Sequence, residues 1–146
     1  MNVLRVIVSI GLALLTAIAG FVLVELMSSI LHPVPPGFDQ NSMEAVCEHV
    51  ANYPHSVLFA CAVGWWLTVA ASCWVATRLG VSRHPAHGIA IGLILLGMAV
   101  LNMSMLPYPL WFWINVVAFP ASTALGISLA RTRSGLPNSL TPDTAL

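Results

Sequence analysis

The sequence predicts an all-α protein: a four-helix bundle integral to a membrane, with both termini on one side and a short amphipathic helix in the first loop on the other. Three observations predict it. First, four stretches are almost free of charge: Val6 to Met27, Ser56 to Thr77, Gly88 to Leu106 and Leu110 to Ala130. Each is near the ~20 residues a helix needs to cross a hydrocarbon core at ~1.5 Å per residue. Second, 58% of residues are hydrophobic, only 7% are charged and lysine is absent, whereas a soluble domain carries roughly a quarter charged residues. Third, Arg5 precedes the first stretch, Arg78 and Arg83 separate the second from the third, and Arg131 and Arg133 follow the fourth. With four spans these places share one face, and Glu25, Asp39, Glu44 and Glu48 fall at or beyond the other. Basic residues accumulate on the cytoplasmic side, which puts both termini there. Formal net charge is zero. No basic patch with interleaved aromatics exists, so nucleic acid is not an expected partner.

The first span is expected over about 4–31. Arg5 and Ala17-Ile18-Ala19 imitate a signal peptide and its cleavage site. The apolar run continues through Phe21-Val22-Leu23-Val24, too long for such a segment, and is read as a retained helix. The loop that follows is the longest. Its His32-Pro33-Val34-Pro35-Pro36-Gly37 forbids helix and favours a stiff, extended path. Asn41, with Glu44 three residues on, is then a helix-start signal. Met43, Val46, Cys47 and Val50 recur at helical spacing, which predicts a short helix lying apolar side down on the membrane surface.

Tyr53-Pro54 opens the second span, about 55–78. Its Cys61 and Cys73 lie ~18 Å apart along one helix, beyond disulfide reach. Cys47 has no partner nearby. All three read as small apolar residues, with Cys47 the one thiol placed for reaction or metal binding. A short loop with Arg83, His84 and His87 leads to the third span, about 86–106. Pro107-Tyr108-Pro109 is so short a turn that the fourth span, about 109–131, must be an antiparallel neighbour. Pro120 is expected to kink it. Residues 1–133 thus form one domain, and the polar residues 134–146 are expected to be a flexible cytoplasmic tail.

In lipid, helices associate where small residues let backbones approach. Each span has such a stripe: Ser9, Ala13, Thr16, Ala17 and Gly20; Ala60, Gly64, Thr68 and Ala71; Gly88, Gly92 and Ala99; Asn115, Ala118, Ser122, Gly126 and Ala130. These stripes can pack the bundle, or serve self-association or a membrane-protein partner through Gly88 and Gly92.

Three polar residues share one depth. Glu25, Asn102 and Asn115 each lie about four to six residues inside the end bearing the proline turns, and Trp65-Trp66 lies about one turn deeper. A carboxylate within a span is costly unless paired, protonated or wetted, so Glu25, Asn102, Asn115 and Trp65 form a candidate ligand-binding layer. The structural alternative is that Glu25 reaches interfacial water and that the asparagines join helices. Glu25 lies ~80° from Ala17 on the helical wheel, at the flank of its own stripe.

His32, His49 and His55 lie on the same side as Glu25 and are the weak candidates for a metal. No histidine sits mid-membrane, no HxxxH or HExxH spacing occurs, and no phosphate loop or CxxC is present. No cofactor is expected. Tyr53, Tyr108, Trp111 and Trp113 fit an interfacial aromatic belt.

Glu25, His32-Pro33-Val34-Pro35-Pro36-Gly37, Pro54 and Pro107-Tyr108-Pro109-Leu110-Trp111-Phe112 together resemble small four-span proteins of the bacterial inner membrane. The likeness runs from Glu25 to Gly126 and rests on the two proline turns. It implies that membrane as the location and implies no activity. The missing catalytic motifs favour a non-enzymatic accessory or assembly subunit of a larger membrane complex. The alternative is a small-ligand, lipid or ion binding or transport protein working through the Glu25 layer. A membrane enzyme using Glu25 and a histidine is the third reading. A cavity opening at Glu25 would favour binding, and a metal held by the histidines would favour the enzyme.

Overall fold

The computed structural model describes residues 2–132. The tail expected over 134–146 and Arg133 lie outside the described residues. Five α-helices follow in order: α1 (Asn2–Leu31), α2 (Met43–Ala51), α3 (His55–Leu79), α4 (Pro85–Met105) and α5 (Asn115–Thr132). Among the described residues there is no strand. Four segments are long and apolar enough to cross a membrane: Val3–Leu31, His55–Leu79, Pro85–Met105 and Leu110–Thr132.

Span ends agree with the sequence to within about two residues, because charge, proline and capping residues mark them. Two details differ. The fourth span does not begin as an α-helix: Leu110–Ile114 is a 3-10 segment, closed by the Phe112 amide on the Pro109 carbonyl at 2.9 Å. The cap of α2 is Ser42 rather than Asn41, its hydroxyl accepting from the Ala45 amide at 3.3 Å. Asn41 is instead held in a turn, its amide donating to the Asp39 carboxylate.

Helix α3 is the hub. It packs on α1 and α5 most extensively and also on α4, while α1 touches α4 lightly. In its most hydrophobic window 44% of residues are buried, against 17% for α1, which explains why α1 presents most of its circumference outward. The small-residue stripes supply the close approaches. A Cβ on Gly20 would strike Thr68, one on Gly64 would strike Val24, and one on Gly126 would strike the backbone of Ala70. Gly88 makes room for Thr77 and Ile127, and Gly92 for Thr123. Of the α3 stripe, Ala71 is exposed, because the buried set Cys61, Ala62, Val69, Cys73 and Ala76 wraps more than one face.

Three buried hydroxyls return to their own helix. Ser9 donates to Val6, Thr68 to Gly64 and Ser72 to Thr68, all to carbonyls at 2.8–2.9 Å. Thr77 Oγ1 is the one buried side-chain polar atom without a partner among the described residues.

The two ends of the helices differ in chemistry. At one end Arg5 Nε donates to the Leu79 carbonyl at 3.1 Å and Arg78 to the Ala130 carbonyl at 3.4 Å. These are last-turn acceptors of α3 and α5, where a cation also complements the helix dipole. Ser82 and Arg83 turn the chain into α4 with φ of 55° and 51°. Two successive non-glycine residues in the left-handed region cost roughly 1–2 kcal/mol each. The opposite end carries the proline turns, α2 and Glu25.

Candidate functional site

On α1, Val24, Glu25, Ser28 and His32 fall on one helical face that climbs toward the proline end. That face forms one wall of a cavity of about 410 Å³. Cys61 and Trp65 of α3 form a second wall, with Trp65 deepest along its helix, and Asn102 of α4 a third. Tyr108 and Phe112, from the turn between α4 and α5, complete the sides. Helix α2 covers the opening with Val46, His49 and Val50. The expected short helix exists, and Val46 and Val50 of its apolar side roof the cavity. Val50 is buried because of it.

The walls are tied to one another. Ser28 and Tyr53 share a 2.7 Å hydrogen bond, and Tyr108 donates to Asn102 at 3.2 Å. His32 and His49 stack with ring centroids 4.7 Å apart, and Tyr53 and Phe38 pack against them. Trp65 meets the edges of Phe21, Phe112 and Phe119. Glu25 differs from these groups. It lines the cavity, yet its carboxylate makes no hydrogen bond among the described residues.

Its charge is nevertheless felt. Burial lowers the His49 pKa, the neighbouring His32 lowers it further, and Glu25 opposes both. Burial raises the Tyr53 phenol; the Ser28 hydrogen bond works against that rise and Glu25 adds to it. Burial pushes Tyr108 well above an ordinary phenol, with Tyr53 and Glu25 contributing. At neutral pH the two phenols are therefore neutral donors, His49 is a neutral imidazole, and Glu25 is the only acidic side chain in the lining.

Of the layer expected from depth, the structure brings Glu25, Asn102 and Trp65 to one cavity and leaves Asn115 out of its lining. Asn115 is fully buried, accepts from Trp66 Nε1 at 2.7 Å and donates to the Phe112 carbonyl at 2.7 Å. It locks the 3-10 segment to α5 and to α3, so Trp66 rather than Trp65 is its partner. Of the three outer histidines, His32 and His49 meet, while His55 stands apart and accepts from Trp111 Nε1 at 2.9 Å. Among the described residues no group of three metal-capable side chains occurs. Cys47 is outside the cavity lining, half-buried, its Sγ 3.9 Å from the Met105 carbonyl. Sequence reasoning missed Ser28, Tyr53 and Tyr108 as wall residues. Ser28 had a usable signal, three positions after Glu25 on the same face.

Against family models, curated proteins and solved structures the chain finds no match. The cavity itself is what bears on function.

Proposed function

We propose that the protein is a small-ligand-binding membrane protein, with the Glu25 cavity facing the outside of a bacterial inner membrane and both termini cytoplasmic. The ligand class that fits is a small organic cation. One observation carries this reading: a carboxylate within a span opens on a cavity and has no hydrogen-bond donor among the described residues. At that depth a carboxylate needs a cation or water against it. The surrounding faces are aromatic, Phe38, Tyr53, Trp65 and Tyr108 among them, and such faces attract an ammonium group. A neutral imidazole at His49 would leave Glu25 as the charge that sets selectivity.

A second reading is the accessory subunit of a larger complex. Most packing glycines face helices of the same chain, but at Gly11 and Gly97 an added Cβ would meet nothing within 4 Å, leaving two smooth places for a partner helix.

The test is calorimetric titration of the purified protein with tetramethylammonium and with neutral neopentyl alcohol, in wild type and Glu25→Gln. Wild type should bind the cation and not the alcohol. The variant should keep its melting temperature and lose roughly tenfold or more in affinity, as expected for a lost charge-assisted contact. Equal affinity in both proteins would end this reading, and so would equal binding of both probes.

A further inference from the structure

A second site lies at the arginine end, independent of the Glu25 cavity. Between α4 and α5 an apolar furrow of about 470 Å³ is lined by Ile89, Leu93 and Leu96 on one side and Pro120, Ala124 and Ile127 on the other. Pro85 and Arg131 form its mouth. The same two residues border a polar pocket of about 460 Å³ completed by Ser82, Arg83 and His84. An apolar channel and a basic pocket therefore share their rim.

The dimensions match one leaflet. The furrow runs from Pro85 to Leu96 along α4 and from Arg131 to Pro120 along α5, eleven positions on each helix. At ~1.5 Å per residue that is about 16 Å, and half of a ~30 Å hydrocarbon core is about 15 Å. The furrow is open because Gly92 has no side chain and Ala124 has a short one. The turn carrying Ser82 and Arg83 holds both in the left-handed backbone region, placing them beside Arg131 at the level where headgroups lie.

We infer that this rim and furrow bind one anionic phospholipid of the leaflet on the arginine side, its phosphate at Arg83 and Arg131 and one acyl chain in the α4–α5 furrow. Any apolar surface in a bilayer is covered by acyl chains, so the furrow alone selects nothing. Selectivity has to come from the headgroup end, where two guanidinium groups favour a phosphate with net negative charge. The furrow orients the chain and makes occupancy long-lived rather than merely annular.

The experiment reconstitutes wild type in equimolar phosphatidylglycerol and phosphatidylcholine, strips bulk lipid with detergent and weighs the retained lipid by native mass spectrometry. Phosphatidylglycerol should be retained preferentially. Arg131→Gln and Arg83→Gln should each cut that preference roughly fivefold. Ala124→Phe, at an exposed position of α5, should fill the furrow and abolish retention of either lipid. Glycerol phosphate without a chain should neither bind nor compete. Equal retention of the two lipids would overturn the assignment, as would an unchanged preference in Arg131→Gln. Competition by glycerol phosphate alone would mark a site for soluble anions and would overturn it as well. Should Arg83→Gln disturb its strained turn, Arg131→Gln decides alone, because Arg131 lies in regular helix. Tetramethylammonium binding by these variants should be unaltered, which keeps the outcome separate from that of the Glu25 cavity.

Discussion

Glu25 and His49 set the charge of the cavity between them, and their coupling is measurable. The His49 pKa lies below the ordinary 6.5 because burial, and next His32, disfavour its protonated form. In the folded state His49 thus holds fewer protons than in the unfolded chain across the interval just below 6.5. The stability it contributes is complete above that pH and is lost as pH falls through the depressed value. Titration of ring-labelled His49 by NMR should give a midpoint under 6.5. Glu25→Gln should lower the midpoint further, since the carboxylate is the one raising influence, and His32→Gln should raise it. A wild-type midpoint above 6.5 would contradict the burial of this ring under α2. By the same logic a cation in the cavity should be released on acidification, when the His49 imidazole acquires charge.

Helix contacts distinguish two glycines that look equivalent in the sequence. A methyl group on Gly126 would meet the Ala70 carbonyl and the Trp74 amide, which are backbone atoms of the hub helix and cannot turn aside. A methyl group on Gly92 would meet the Thr123 side chain, which can adopt another rotamer. Gly126→Ala should therefore cost about 3 kcal/mol or prevent folding, the upper range for overpacking, while Gly92→Ala should cost about 1 kcal/mol or less. Thermal unfolding in detergent measures both; equal losses would mean that α3 and α5 do not approach as closely as described. The α5 stripe was legible because Asn115, Ala118, Ser122, Gly126 and Ala130 repeat at helical spacing toward one partner. The α3 stripe was legible only in part. A helix surrounded by neighbours has no single packing face, and Ala71 falls on its open side. Depth grouped Glu25, Asn102 and Trp65, which line one cavity, but depth carries no azimuth, so Asn115, at the same level, was grouped with them although it bonds to Trp66. The 3-10 entry of the fourth span left no trace in Leu-Trp-Phe-Trp-Ile, where every residue is compatible with an α-helix.

For the molecule as a whole, orientation is the open variable, and Cys47 reports it. It is half-buried at the proline end, whereas Cys61 and Cys73 are buried between helices. A membrane-impermeant maleimide added to cells with a permeabilised outer barrier should modify one thiol per chain, and Cys47→Ser should abolish the signal. Modification only after the inner membrane is lysed would reverse the proposed orientation. The place of α3 as hub has a further consequence for how the chain is made. Of the four described spans α1 has the smallest buried share, and its principal partner α3 is translated only after the proline loop and α2. During that interval α1 lacks α3 and Glu25 is uncovered. Its 29-residue apolar length and mean hydropathy of 2.6, the highest of the four spans, are what let it wait. The less hydrophobic fourth span, at 1.5, arrives when a preformed surface of α3 and α4 is ready to receive it. Among the four described spans the most hydropathic is thus translated before its partner helix, and the least hydropathic after the helices that receive it.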